Sequence, residues 1–159
     1  MTIEEMRPED WAAVARIYED GLDLGTFEDD VPSWEDWDAS HLAVGRLVAR
    51  EDGEVLGWAA LGHVSHRECY RGVVENSVYV APAARGRGVG RALLEELCRR
   101  ADAAELWTIQ AVTFADNAAS IGLHESCGFR LVGRRERIAK KHGAWRDTVM
   151  LDRRSPVVS

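Results

Sequence analysis

The stretch that decides the fold is Ser77–Ala101, SVYVAPAARGRGVGRALLEELCRRA. An alternating apolar run stops at Pro82, glycines stand at positions 86, 88 and 90, and a leucine-rich run follows. Strand, Gly-rich loop and helix in that order make an anion cradle. Glycine lets the backbone approach a ligand, and the first-turn N–H groups of a helix are unpaired and sit at the positive end of its dipole. Arg85, Arg87 and Arg91 add positive charge around it. No Gly-Lys-Ser/Thr triplet follows, which disfavours the P-loop of nucleotide hydrolases. The dinucleotide fingerprint also fits poorly: the spacing is Gly-x-Gly-x-Gly, and the next apolar strand, LWTIQAVT, meets no acid before Asp116. A plain tight turn needs one glycine rather than three, so a phosphate-binding loop, Arg-x-x-Gly-x-Gly, is the stronger reading.

Outward from this loop, strand and helix periods alternate. TIEEM near the start reads as a short strand, and Trp11, Val14, Ala15 and Tyr18 share one face of a helix that Gly21 is expected to end. Residues 21–32 read as a loop, and Ser33, with Asp36 three positions on, caps a short second helix. Residues 47–65 predict two strands around the turn Asp52-Gly53, and VVENSVYVA a further strand. Val89, Leu93, Leu97 and Ala101 form the stripe of a long helix. LWTIQAVT is a buried strand, and DNAASIGLHESC a helix capped by Asp116 or Asn117 and broken at Gly128. Residues 129–152 give two last strands around Gly143, a turn that Trp145 and Asp147 are expected to fix. The order β-α-α-β-β-β-α-β-α-β-β predicts one α/β domain over residues 1–152, with six to seven strands in a mixed sheet, about four helices, and a loose tail over 153–159.

A chain of 159 residues suits one domain with a sizeable core. The net charge of −7 argues against a broad grip on nucleic acid. The charge is uneven: Met1–Asp38 is strongly acidic, whereas Arg134, Arg135, Arg137, Lys140 and Lys141 cluster late. That asymmetry suits either a small anionic ligand or two solvated faces that complement each other or a partner subunit. Three cysteines, Cys69, Cys98 and Cys127, lie far apart and imply no disulfide framework. The acidic start MTIEEMRPED differs from a basic leader, and the longest apolar run is too short for a membrane span, so a cytoplasmic protein is expected. His63, His66 and Cys69 leave a strand for a loop and lack an obvious fourth ligand, so no metal is expected there. The two histidines are expected to line or border a substrate mouth.

Two segments carry a family resemblance. SVYVAPAARGRGVGRALLEELC resembles motif A of the GNAT acetyltransferases, and FADNAASIGLHESCGFRLVG resembles their motif B, with the element order matching over Met1–Asp152. YRGVVENSVYV, LHESCGF, KHGAWRD and GTFEDDVPSWEDW are similar to the phosphinothricin acetyltransferase branch. That branch carries an Asn-Ala-Thr-Phe-Glu run in its first substrate loop, of which only Gly25-Thr26-Phe27-Glu28 stands here. The resemblance implies a GNAT fold, acetyl-CoA as cosubstrate without a metal, a small amine as acceptor and a homodimer.

Acetyl transfer to an amine needs a neutral nucleophile, and α-amines are mostly protonated at neutral pH, so a general base is expected. The resemblance assigns that role to Glu75. Period-2 alternation puts Glu75 on the face opposite Val78 and Val80, and the resemblance implies a bulge in this strand that would change the alternation. His124 matches the branch's histidine and stands as acid, proton relay or substrate ligand. By the same resemblance, backbone groups of Val78 and Val80 hold the pantetheine arm, and an N–H near Val80 serves the oxyanion. Residues Arg85, Gly86, Arg87, Gly88, Val89, Gly90 and Arg91 hold the pyrophosphate, and Asn117 and Ser120 meet the pantetheine or adenosine end. Tyr70 and Arg71 are candidates to meet the acceptor, Arg71 because a guanidinium pairs bidentately with a carboxylate or phosphinate. Phe27 is a candidate pocket wall. No cysteine lies in the cofactor loop, and Cys127 has no basic neighbour in sequence, so transfer is expected to be direct. Other acceptors, such as a protein N-terminus, a polyamine or an aminoglycoside, stay open, as does a non-catalytic acyl-CoA sensor.

Overall fold

Asp52 and Gly53 take φ of 51° and 80°, the left-handed pair that a two-residue hairpin needs. They join β2 (Leu47–Glu51) to β3 (Glu54–His63) in a computed structural model that describes residues 1–22 and 26–159. Asp23, Leu24 and Gly25 lie outside the described residues, and with them part of the loop expected over 21–32. The remaining strands are β1 (Thr2–Glu5), β4 (Val73–Val80), β5 (Thr108–Phe114), β6 (Arg130–Lys141) and β7 (Ala144–Arg154). The helices are α1 (Trp11–Leu22), α2 (Trp34–Ser40), α3 (Val89–Ala103) and α4 (Ala118–Ser126). The element order matches the sequence expectation.

Seven strands form one sheet in the order β1-β2-β3-β4-β5-β7-β6, antiparallel except for β4 and β5. On one face α3 buries Val89, Leu93, Leu97 and Ala101, the stripe expected of it, against Leu47, Leu61, Val74 and Ile109. On the other, Val14, Ile17 and Tyr18 of α1 and Trp37 of α2 pack on Val48, Trp58 and Ala60. Each strand of the centre therefore presents alternate residues to two different helix layers. Ser33 caps α2 by accepting from the Asp36 N–H at 3.2 Å, as the capping pattern implies.

Three local expectations change. Gly21 does not end α1, which continues to Leu22. A Cβ at Gly21 would stand 2.6 Å from the Tyr79 ring, so this glycine serves close helix-to-sheet packing. Asp147 does not fix the Gly143 turn: it accepts from the Arg134 side chain and the Arg137 N–H, bracing the register shift of β6 between Arg135 and Ala139. The tail is not wholly loose. β7 runs through Arg154, the Ser155 N–H donates to the Trp107 carbonyl at 2.8 Å, and the Ser155 hydroxyl accepts from the N–H groups of Val157 and Val158.

Candidate active site

The sheet opens in its middle. β4 and β5 pair over only three positions, Val73 with Thr108, Val74 with Ile109 and Glu75 with Gln110. Beyond Glu75 the two strands part, and a cleft of about 550 Å³ lies between them. The backbone edge of β4 facing this cleft has lost its strand partner. Val80 shows which groups it offers: its carbonyl oxygen accepts from Arg85 Nη2 at 3.5 Å on the cleft side. The N–H and C=O of one strand residue share an edge, so Val80, and by alternation Val78, direct both groups into the cleft.

At one end of the cleft is the glycine loop. Gly86 and Gly88 take φ of 76° and 80°, which L side chains rarely adopt, and added Cβ atoms there would meet nothing. Gly90 does not share the positive φ of the other two, and an added Cβ there would make ordinary contact with Leu123 and Val80 at 3.4 and 3.5 Å. Gly88 is the N-cap of α3, and the first helical bond of the loop runs from the Ala92 N–H to the Gly88 carbonyl. The N–H groups of Val89, Gly90 and Arg91 thus precede the helix's own bonding and suit an anion. Arg85 and Arg91 line the cleft, Arg91 while paired with Glu95 at 2.7 Å. Arg87 does not line it: its guanidinium is held by Glu51 at 2.5 Å.

On the α1 side of β4 the cleft forms a second chamber. Glu75, Ser77 and Tyr79 share that face, because the β3–β4 register runs without a shift from Gly57↔Val80 to His63↔Val74. The bulge implied for this strand is therefore absent from its pairing with β3, and Glu75 lies opposite Val78 and Val80 as simple alternation requires. The splay comes from the end of β4–β5 pairing instead. Glu75 is exposed to the cleft and accepts from Gln110 Nε2 at 2.8 Å. Tyr79, Tyr18 and Trp58 form a mutual cluster, with Tyr79 4.9 Å from each of the other ring centroids and those two 5.5 Å apart, and burial pushes both phenols upward in pKa.

The mouth of this chamber is the segment from Thr26 to Glu28. Phe27 meets Phe114 edge-on at 4.7 Å, and the Arg146 guanidinium lies over the same Phe114 ring at 4.1 Å. Lys141, buried at the end of β6, donates to the carbonyl oxygens of Thr26 and Glu28 and lies 3.5 Å from Asp29. A hairpin more than a hundred residues away thus ties down the loop that borders this chamber. Gly25, part of the expected substrate loop, lies outside the described residues.

His124 closes the α4 side. It is 5% exposed, Nδ1 is 2.7 Å from the Ser120 carbonyl oxygen, and Nε2 is 3.2 Å from Asn76 Oδ1 on β4. Burial holds its pKa below the ordinary 6.5, with the Ser120 carbonyl pulling weakly the other way. Asn117 is the N-cap of α4, accepting from the Ser120 N–H at 3.1 Å, so both residues shape this helix end as well as lining the cleft.

The fold thus brings Phe27, Glu75, Val78, Val80, Arg85, Gly86, Gly88, Val89, Gly90, Arg91, Asn117, Ser120 and His124 to one cleft. It does not bring Arg87, Tyr70 or Arg71 there. Tyr70 ends an exposed 3-10 turn, and Arg71 lies 3.4 Å from Glu68 and over the Trp107 ring. His63 and His66 are likewise exposed and outside the lining. Among the described residues no three His, Cys, Asp or Glu side chains cluster as metal ligands, and no helix is long and apolar enough to cross a membrane. Gln110, Asn76, Tyr18 and Lys141 are the site residues that sequence reasoning missed. Gln110 and Asn76 carried a weak signal, each as the one amide in its strand.

The profile of the acetyltransferase (GNAT) family matches residues 11–129. The phosphinothricin N-acetyltransferase of Alcaligenes faecalis is 38% identical over 161 residues, which span 96% of this chain and 81% of that protein. The L-methionine sulfoximine/L-methionine sulfone acetyltransferase of Pseudomonas paraeruginosa is 43% identical over 106 residues, 66% of this chain and 62% of that protein, so the match covers less than two thirds of that relative. A phosphinothricin acetyltransferase from Sinorhizobium meliloti, solved in complex with AcCoA, superposes with a TM-score of 0.88 at 32% identity over 97% of this chain and 88% of that one.

Proposed function

Because the chain belongs to the GNAT acetyltransferase family, we propose that it transfers acetyl from acetyl-CoA directly to the α-amine of a small amino acid or analogue of the phosphinothricin or methionine sulfoximine kind. The observation that carries this reading is the parting of β4 and β5 at Glu75, which sets a carboxylate where the cofactor end and the acceptor chamber of the cleft meet. The acceptor class is carried over from the relatives.

The open edge at Val78 and Val80 suits the amides of the pantetheine arm, and the left-handed glycines with the first turn of α3 suit the pyrophosphate. Bound acetyl-CoA supplies the activated thioester. Glu75 takes the proton from the acceptor's ammonium, directly or through a water, while Gln110 keeps its carboxylate aimed. A backbone N–H near Val80 meets the negative charge that develops on the carbonyl oxygen; the thioester C–S bond would then break, the thiolate leaving with a proton taken from His124 or from water. Direct transfer is supported by the cysteines. Cys98 is buried, its thiol pushed up to about 11, and burial likewise raises Cys127 despite Arg91 and Arg153 nearby. Neither is a ready thiolate, and neither lines the cleft.

A second acceptor class has an observation of its own. Glu28 lines the chamber, while Arg71, expected to meet an acceptor carboxylate, stands outside. That balance favours a cationic acceptor such as a polyamine or aminoglycoside. Thiol release from acetyl-CoA across amino acids, phosphinothricin, methionine sulfoximine, polyamines and aminoglycosides separates the two. Turnover of the amino-acid analogues at well over tenfold the kcat/KM of any polyamine supports the first reading, and the reverse order removes it. A homodimer is part of the proposal, supported by the exposed apolar Leu131, Val132 and Ile138 on the edge strand β6, and sedimentation equilibrium tests it. So is a cytoplasmic setting, where acetyl-CoA is made and used.

A further inference from the structure

One contact at the cleft is unaccounted for by these roles. The Ser120 carbonyl oxygen only accepts, so His124 Nδ1, 2.7 Å away, carries the proton of the neutral ring. Nε2 is then an acceptor, yet it faces the Asn76 side-chain oxygen at 3.2 Å. The Asn76 amide nitrogen, meanwhile, is buried without a hydrogen-bond partner among the described residues. Turning the amide over removes both faults: the nitrogen donates to Nε2, and the oxygen takes the buried position, where an unpaired acceptor costs less than an unpaired donor.

We propose that Asn76 is the positioning residue of His124: its amide donates to Nε2 of the neutral ring and, turned over, accepts from Nε2–H of the protonated ring. The imidazole then keeps one orientation in both protonation states, as a group that takes up and returns a proton in the cleft must. This rests on the reading of the cleft as an acetyl-transfer site. Asn76 is placed for the task by strand alternation, on the face of β4 that it shares with Val78 and Val80 and opposite Glu75.

The surroundings leave Asn76 as the deciding partner. The ring meets Ser120 from α4, Asn76 from β4, and Phe129 edge-on at 5.0 Å. Among the described residues no charged side chain contributes to its protonation, which burial disfavours. The charged neighbours take other directions: Glu75 is bonded to Gln110, Arg91 is paired with Glu95, and Glu125 is exposed.

The test is a 15N NMR titration of the His124 ring in the whole protein without substrates, read beside the pH dependence of kcat/KM. In the wild type Nδ1 carries the proton and the ring titrates below 6.5. Asn76→Asp sets a carboxylate against Nε2 and is expected to raise that titration by roughly one to three pH units, with the acid limb of the rate profile following. Asn76→Leu neither donates nor accepts. It is expected to shift the Nε2 resonance and lower kcat about tenfold, the worth of one hydrogen bond, with KM for acetyl-CoA unchanged. The leucine variant also keeps the test open should a buried carboxylate unfold the domain. A wild-type titration in Asn76→Asp, or an unmoved Nε2 resonance in Asn76→Leu, overturns the proposal. A moved titration with an unmoved rate profile supports the Asn76 bond and removes proton exchange by His124 from the catalytic reading.

Discussion

Glu75 and Gln110 are the last residues at which β4 and β5 pair, and the same two residues are joined by a side-chain hydrogen bond of 2.8 Å. The backbone relationship and the side-chain relationship coincide at the apex of the cleft. Strand pairing fixes where the carboxylate stands, and Gln110 Nε2, which can only donate, fixes its aim. Replacing Glu75 with Gln keeps the shape and removes the carboxylate proposed as base. The expected outcome is a fall in kcat of about 10²- to 10⁴-fold at neutral pH, with the acetyl-CoA dissociation constant unchanged by calorimetry. Gln110→Leu leaves the base in place but unaimed, and is expected to lower kcat about tenfold. Wild-type turnover in the Glu75 variant removes it from the role.

The arginines of the glycine loop divide by direction. Arg85 reaches the cleft edge at the Val80 carbonyl, whereas Arg87 is held by Glu51 at 2.5 Å. Arg85→Ala is therefore expected to raise KM for acetyl-CoA about tenfold or more, and Arg87→Ala to change it less than about threefold, since charge-assisted bonds are worth roughly 1.5–3 kcal/mol only where they are made. Equal effects of the two substitutions, measured by initial rates at saturating amine, count against this division. Gly88→Ala tests the loop backbone: at φ 80° an alanine is strained by about 1–2 kcal/mol, visible as a lower denaturation midpoint together with weaker acetyl-CoA binding.

How much of this was legible in the sequence follows from how local each feature is. The stripe Val89, Leu93, Leu97 and Ala101, the Ser33 cap and the Asp52-Gly53 turn are set within a few residues, and the structure matches them. The strand, glycine loop and helix from Val78 to Arg91 are contiguous and were legible for the same reason, although Arg87 turns away to Glu51. The acceptor end is assembled from β4, β5, α1, α4 and the end of β6, and its contacts span long separations: 35 residues for Glu75 and Gln110, 48 for Asn76 and His124. No period or spacing reports such pairs. Arg71 is the converse case, where residue type suggests a carboxylate ligand and the turn at Glu68–Tyr70 directs the side chain over Trp107, outside the cleft lining.

One half-buried and one buried histidine, His41 and His124, give the stability a defined pH window. Burial lowers the pKa of both His41 and His124 from the ordinary 6.5. Between the depressed folded values and 6.5 the unfolded chain binds more protons than the folded one, so stability is full above about 6.5 and declines as pH falls toward the folded values. The slope is at most about 1.4 kcal/mol per pH unit for each histidine. The carboxylates held low by arginines, Glu4, Glu51, Glu96, Asp102 and Asp147, act only below their ordinary values of 4.5 and 3.8. Urea midpoints are thus expected to fall between pH 7.5 and 5.5, and less so in a His41→Phe variant. A flat profile across that interval contradicts the desolvation of the two rings.

Lys141 offers the sharpest separation of the two ends of the cleft. Its ammonium is buried at the end of β6 and donates to the carbonyl oxygens of Thr26 and Glu28, residues that border the acceptor chamber but not the glycine loop. Lys141→Met keeps most of the apolar stem and removes the three donors. The two loop carbonyls then lose a charged partner, and the loop gains freedom that acceptor binding must remove. The expected result is a rise of about tenfold in KM for the amine with KM for acetyl-CoA unchanged. Lys141→Arg is expected to rescue it poorly, because a planar fork does not fit the place of a compact ammonium among carbonyl oxygens. If both KM values rise together, Lys141 supports the whole cleft; if neither moves, other contacts, such as that of Phe27 with Phe114, suffice to hold the Thr26–Glu28 segment.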